Sequence, residues 1–105
     1  MTTLQTRLEA AIVRRVCVHL GHEPAPGEAI DHEASFFAAD GFRLGDRELD
    51  SIDFVEMIVA IEDDLGVSIL DAADVENIDS IQKLAAFAEA SAATTRLNAF
   101  CEQWG

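Results

Sequence analysis

One segment has a strict helical repeat, and it constrains the fold more than any other part of the chain. From Phe54 onward, large apolar residues fall at i, i+4, i+7 and i+11, the pattern of one buried helix face. Ser51 is a favourable N-cap residue, and Gly66 can end a helix in the left-handed conformation. The pattern predicts a helix from about Ser51 to Leu65. Its buried stripe is Phe54, Ile58, Ile61 and Leu65, widened by Val55.

Two further segments have helical periodicity. In the first, Thr2 and Gln5 have the spacing of a capping box, and Gly21 and Pro24 stop the repeat. Its apolar residues recur every four positions, at Leu4, Leu8, Ile12, Val16 and Leu20. The second follows Asp79-Ser80, which supplies two N-cap candidates. Its apolar face is Ile81, Leu84, Ala85, Phe87 and Ala88. Both segments are predicted to be helices that pack in the core.

The segments between these helices are irregular. A structureless loop as long as residues 21–49 is uncommon in a compact domain, so we expect Phe36 or Phe37 to be buried and to hold it in place. Residues 67–70 are too few and too isolated for a sheet, and they should return to the core. A short helical turn with an aspartate cap is expected to follow, within residues 71–76.

The last residues, 91–105, keep a weaker helical spacing. The apolar positions are Leu97, Phe100, Cys101 and Trp104. Because Trp104 is so near the end, we expect it to dock on the domain or on a second copy. No repeat or linker divides the 105 residues, a length typical of one domain with a modest core. The predicted fold class is all-α, a small helical bundle with a long first loop.

An acidic segment without basic residues occupies the middle of the chain. The formal net charge is −13, and the segment from Asp50 to Asp79 contains ten acids and no Lys or Arg. This charge repels nucleic acid and anionic membranes, and it favours a partner with a basic face. A solvated face kept soluble by repulsion is the alternative. Like charges such as Asp53 and Glu56 cost a helix roughly 0.2–0.5 kcal/mol per pair, a cost that a binding role would explain.

The cysteines and histidines match no familiar site. Cys17 and Cys101 have neither metal nor redox spacing, so we expect two reduced thiols. His19 and His22 lie near Cys17 but supply no fourth ligand, so a core cysteine and two surface histidines are favoured over a metal site. No segment reproduces the calcium-binding loop of an EF-hand.

The sequence has no targeting or membrane signal. Residues 1–5 lack the basic start and apolar run of a signal peptide, and no stretch approaches membrane-spanning length. We therefore expect a cytoplasmic protein with no direct insertion into membranes.

Ser51 has two interpretations. As an N-cap, its hydroxyl accepts a hydrogen bond from a first-turn amide and contributes about 1 kcal/mol. Alternatively, a hydroxyl at a helix N-terminus is exposed, and a phosphate joined to it would meet the positive end of the helix dipole. The position suits either a cap or a phosphodiester.

The sequence around this serine resembles a known family. The run that begins Asp50-Ser51-Ile52-Asp53-Phe54 and ends Leu65-Gly66-Val67-Ser68-Ile69 is similar to the Asp-Ser-Leu signature and recognition helix of acyl carrier proteins. The similarity continues without a gap to Ile78-Asp79-Ser80-Ile81, and the first helix agrees in kind. The resemblance implies an acyl-carrier-like four-helix bundle in residues 1–90. Residues 91–105 would be a C-terminal helical extension that packs on or continues the last helix.

The resemblance also implies a function. In this family a serine, here Ser51, receives 4'-phosphopantetheine from coenzyme A, and the thiol of this arm holds an acyl group as a thioester. The implied partners are a phosphopantetheinyl transferase, acyl synthases and acyltransferases with basic docking patches. The carrier needs no general base of its own, so we expect no enzymatic activity.

Site residues follow from the same resemblance. Asp50, Asp53 and Glu56 match the acidic contacts for basic patches on partner enzymes, and Ile52 and Met57 offer apolar contacts between them. Five other residues are candidates to line an acyl-sheltering cavity, although ordinary core packing explains each one equally well. They are Ile58, Ile61, Ile69, Ile78 and Leu84.

The chain departs from the family pattern before the signature. The usual Leu-Gly stands at Leu44-Gly45, so Asp46-Arg47-Glu48 is inserted before Leu49. With the enlarged first loop and the tail, this suggests a specialised carrier outside the main fatty-acid cycle, for example for an unusual or very long acyl chain destined for a lipid. A peptidyl or aminoacyl carrier and an unmodified acidic interaction module remain alternatives. We expect a monomer, with a weak dimer through the tail possible.

Overall fold

The computed structural model describes residues 4–23, 30–36, 43–44, 47–48, 51–70 and 78–104. Its regular elements are four helices and one short β-ribbon. They are α1 (Leu4–Leu20), β1 (Arg43–Leu44), β2 (Arg47–Glu48), α2 (Ser51–Leu65), α3 (Ile81–Ser91) and α4 (Thr94–Trp104). The all-α helical bundle predicted from the sequence is confirmed.

Helix α1 is the central element, because it packs against the other three helices. The middle of its predicted stripe, Leu8, Ile12 and Val16, is fully buried, whereas Leu4 and Leu20 at its ends are partly buried. The helix ends as predicted before a glycine. Gly21 has a φ of +68°, and the amide of the next residue donates to Cys17 O at 2.8 Å. This closing hydrogen bond satisfies a carbonyl that the helix itself leaves unpaired.

Helix α2 has the predicted bounds, but one residue of its stripe faces the other way. Phe54, Ile58, Ile61 and Leu65 are buried, whereas Val55 is 44% exposed. Successive residues turn about 100° around a helix, so Val55 points well away from Phe54. Met57 lies about 60° from Phe54 on the other side and is fully buried. Met57, and not Val55, widens the stripe.

The first loop has a buried phenylalanine, as predicted, and this residue forms an aromatic pair with α2. Phe36 is buried, and its ring centroid lies 5.4 Å from that of Phe54, with the ring planes tilted by 49°. Two backbone hydrogen bonds tie the same loop to the start of α3. Phe36 N donates to Asp79 O at 2.6 Å, and Gln82 N donates to His32 O at 2.9 Å. Phe37 lies outside the described residues.

The β-ribbon was not predicted. In this antiparallel pair Arg43 faces Glu48, and Leu44 faces Arg47. Two-residue strands are too short for an alternating pattern to be recognised in a sequence. Two of the three inserted residues, Arg47 and Glu48, therefore pair with the residues that precede the insertion. The insertion forms part of a ribbon close to the start of α2.

Other expectations for the connections have mixed outcomes. Within the described residues, 67–70 form no strand, and Ile69 is fully buried, as predicted. Ser80, one of the two predicted candidates, is the N-cap of α3, because its Oγ accepts from Lys83 N at 3.2 Å. The capping box at Thr2 and the helical turn expected within 71–76 lie outside the described residues.

Helix α4 packs on α1 and α2, with Leu97, Phe100 and Cys101 buried. The guanidinium of Arg15 in α1 lies 4.7 Å from the ring centroid of Trp104. This contact fulfils the first of the two expectations for Trp104, docking on its own domain. Among the described helices, none combines the length and the apolar character needed to cross a membrane.

The packing of Phe54 predicts a large loss of stability on truncation. Phe54→Ala removes a buried ring from between α2 and the first loop, and it should cost about 3–5 kcal/mol in urea unfolding. Val55→Ala is the matched control, because its side chain is largely exposed; its cost should stay within about 0.5 kcal/mol. Equal costs for the two variants would contradict the helix register described above.

Candidate functional site

Ser51 is the first residue of α2, so its backbone stands where the helix presents unpaired amides and the positive end of its dipole. The next side chain, Ile52, is 68% exposed. A phosphate ester at this position would be stabilised by the amides of the first turn. The helix start therefore fits a phosphodiester-linked group.

An exposed apolar line runs along α2 from this point. Ile52, Val55 and Val59 are 68%, 44% and 41% exposed, and their i, i+3, i+7 spacing places them on one face. We call these three residues the α2 ridge. Of these three ridge residues, only Ile52 was predicted from the sequence to lie on a contact surface. Val55 and Val59 could have been found from the helical wheel once Phe54 and Ile58 are taken as the centre of the buried face.

The prediction that Met57 is an apolar surface contact is wrong. Its side chain is fully buried in the core, because its position on the helix lies close to that of Phe54. The exposed apolar contacts next to the acids are instead supplied by Val55 and Val59.

Two of the predicted acidic contacts lie beside the ridge. Glu56 has a side chain that is 58% exposed, with Oε2 3.4 Å from Nε2 of His19 in α1. Asp53 is half-buried in the first turn of α2. Asp50 lies outside the described residues. Ile52, Asp53 and Glu56 thus share the N-terminal half of α2.

Other acids of the same charged segment hold the fold together. Glu62 uses one carboxylate oxygen to accept from the amides of Ile69 and Leu70, the second at 3.0 Å, so it organises the chain after α2. Asp64 pairs with Arg15 at 2.8 Å. Asp79 pairs with Lys83 at 3.0 Å, one turn along the chain. The sequence did not distinguish these structural acids from recognition acids.

All five acyl-pocket candidates lie in the core. Ile58, Ile61, Ile69, Ile78 and Leu84 are at most 4% exposed and belong to one cluster of buried side chains. The structure therefore brings them together. None of them lines either of two surface grooves, one between α1 and α2 and one between α1 and Trp104.

The protein's own thiols are poor candidates for carrying a cargo. Cys17 and Cys101 are both buried, and neither forms a disulfide with a described residue. Burial raises the pKa of the Cys101 thiol, and the charge of Arg7 opposes this only in part. Among the residues that the structure describes, no group of three His, Cys, Asp or Glu side chains is arranged to hold a metal ion.

The role of Glu62 can be tested by stability. Glu62→Ala leaves two amides without their acceptor and should cost about 1–3 kcal/mol in urea unfolding, with faster amide exchange at Ile69 and Leu70. Glu62→Gln keeps a carbonyl acceptor and should cost less. Asp63→Ala, at an exposed neighbouring position, is the control and should leave both amides protected. Equal exchange in Glu62→Ala and Asp63→Ala would refute the assignment.

Comparison with known proteins gives one result. No curated protein and no solved structure matches the chain significantly. The family model described as "Phosphopantetheine attachment site" matches residues 10–88, which include α2 and all but the first residues of α1 and the last residues of α3. Carrier domains of this family are typically non-catalytic, and they generally interact with a phosphopantetheinyl transferase and with biosynthetic enzymes. The chain therefore belongs to the phosphopantetheine-attachment family, and its cofactor is covalently attached 4'-phosphopantetheine.

Proposed function

We propose that the protein is an acyl carrier protein that carries its 4'-phosphopantetheine arm on Ser51 and presents acyl thioesters to fatty-acid or lipid biosynthetic enzymes. The observation that carries the proposal is the position of this serine. It begins a 15-residue helix inside the matched region, and it stands in the Asp-Ser-Ile run that resembles the family signature.

The other serines of the matched region fit attachment less well. Ser80 is 2% exposed, and its hydroxyl caps α3, so a transferase could not reach it without opening the fold. Ser35 Oγ lies 3.4 Å from a carboxylate oxygen of Asp79, which would repel a phosphate. Ser68 is exposed but does not begin a helix. Ser51 alone among them combines a helix start with an exposed neighbour.

The chain's own residues would bind and orient, and perform no covalent step. When attached, the arm supplies the thiol that the buried cysteines do not. The first-turn amides of α2 and its dipole would stabilise the phosphate charge. A long flexible arm then allows its end to reach into the active site of one partner enzyme while α2 stays docked on the surface of that enzyme.

Partner enzymes would dock on the N-terminal half of α2. The α2 ridge provides apolar area, and Asp50, Asp53 and Glu56 provide charge that complements a basic patch. Such a surface suits a phosphopantetheinyl transferase, acyl synthases and acyltransferases in turn. Charge at the rim chiefly accelerates encounter, and a small apolar ridge permits release.

Acyl cargo is favoured over an aminoacyl or peptidyl cargo by the aspartate before Ser51 and by the dense acids of α2. The inserted residues and the tail support a specialised carrier for a lipid pathway in the cytoplasm. On this proposal residues 1–90 form the carrier domain, residues 91–105 its extension, and the protein is a monomer. The five buried residues around Ile58 and Leu84 are candidates to adapt around a bound chain.

Mass spectrometry tests the attachment. After incubation with coenzyme A, Mg²⁺ and a broad-specificity phosphopantetheinyl transferase, the intact protein should gain the mass of one phosphopantetheine. Ser51→Ala should fold, lose at most the cap contribution of about 1 kcal/mol, and gain no mass. Ser68→Ala is the control and should be loaded like the unmodified sequence.

If the protein gains no mass while a known carrier is modified in parallel, the proposal fails, and the unmodified acidic interaction module becomes the better account. A gain of mass that persists in Ser51→Ala would leave the family assignment intact and reject the residue.

Recognition through α2 predicts a charge effect on loading. Glu56→Lys should lower kcat/KM of the transferase, and the loss should grow at low salt, where screening is weakest. Glu89→Lys makes the same change in net charge at an exposed position of α3 and should have a much smaller effect. Equal kinetics for the two variants would mean that the acids of α2 serve only solvation.

A further inference from the structure

A surface groove lies between α1 and the last turn of α4. Its volume is about 450 Å³, within the roughly 300–1,000 Å³ typical of small-molecule pockets. Its lining includes Val13, Arg14, Cys17, Val18, His22 and Trp104. We call it the α1–Trp104 groove. It is separate from the α2 ridge and from the buried acyl-pocket candidates.

The groove is close to the start of α2. Its residues Val18 and His22 flank His19, and His19 contacts Glu56 of α2 at 3.4 Å. Glu56 lies five residues beyond Ser51, which corresponds to about 7.5 Å along the helix. A group tethered to Ser51 by a long arm would therefore reach this end of α1.

The walls of the groove suit an aliphatic ligand that carries a hydrogen-bond acceptor. Val18 is 54% exposed, one of four exposed large apolar side chains among the described residues. Trp104 contributes an indole ring, whose Nε1 is closed to solvent. Arg14 also lines the groove, and its guanidinium carries only hydrogen-bond donors. A thioester or amide next to an alkyl chain has this combination.

The described core candidates are closed to solvent. Ile58, Ile61, Ile69 and Leu84 are fully buried, and none of them lines the α1–Trp104 groove or the groove between α1 and α2. An alkyl chain would have to enter the core to lie among these residues, whereas the α1–Trp104 groove is already open to the surface.

We propose that the α1–Trp104 groove holds the acyl end of the chain's own arm. This inference rests on the proposed function, because it takes Ser51 as the tether. The alkyl chain would lie against Val13, Val18 and the indole of Trp104, with a carbonyl of the acyl-arm unit accepting from the guanidinium of Arg14. The C-terminal helix would thereby shelter the cargo between visits to enzymes.

Trp104 is the only tryptophan in the sequence, so its fluorescence reports on the groove directly. The full-length protein is loaded from coenzyme A and from butanoyl-, octanoyl- and dodecanoyl-coenzyme A, and loading is checked by intact mass. A chain that displaces water from the indole should shift its emission to shorter wavelength, more strongly for longer chains. Isotope-filtered NOEs from the acyl methylenes should reach the Trp104 ring and the Val18 methyls.

Two variants test the groove. Val18→Asp places a charge on its wall, and Ala10→Leu narrows it without a change in charge; both alter exposed positions of α1. Each should lose most of the chain-length-dependent shift while it is loaded normally. Ala86→Asp, at an exposed position of α3 away from the groove, should keep the shift.

The outcomes separate this inference from the proposed function. Loading without a chain-length-dependent response of Trp104, or with NOEs to Ile58 and Ile61 instead, overturns the groove and leaves Ser51 as the carrier residue. A response that is unchanged in both Val18→Asp and Ala10→Leu also overturns it. Failure of Ser51 to load overturns both proposals.

Discussion

The burial of one face of α2 against the rest of the bundle is the constraint on which the functional surface depends. Phe54, Ile58 and Ile61 are held in the core, and this fixes the rotation of the helix about its axis. Because this rotation is fixed, the ridge residues Val55 and Val59 must lie at the surface. The exposure of the face that partners would meet is thus a consequence of core packing alone.

The acidic segment combines two kinds of charge that look the same in the sequence. Glu62 and Asp64 bind groups of their own chain, and these contacts hold the end of α2. Glu56 is largely exposed near the start of the same helix. Ion pairs and hydrogen bonds at the C-terminal end of α2 therefore offset part of the repulsion between its acidic side chains. Exposed negative charge remains near the start of the helix, where the proposed docking surface lies.

The sequence predicts well what depends on helical periodicity and capping. It predicted the bounds of α2, the burial of Phe36 or its neighbour Phe37, and a cap of α3 at Asp79 or Ser80, because each follows from local spacing or residue type. It failed at Met57 and Val55, since both are apolar and flank the stripe, and only tertiary packing decides which one is covered. The β-ribbon could not be predicted from the sequence, because its two-residue strands are too short to show an alternating pattern.

Helical periodicity also could not predict the contacts of α4. These contacts connect three helices. Arg15 of α1 pairs with Asp64 of α2 on one side and stacks on Trp104 of α4 on the other. The family match ends at residue 88, so α4 lies outside the region that defines the carrier domain. Its last turn nevertheless supplies a wall of the α1–Trp104 groove, which α1 alone would leave as an open helix face. The extension therefore adds a largely apolar concave surface from outside the region that the family match defines.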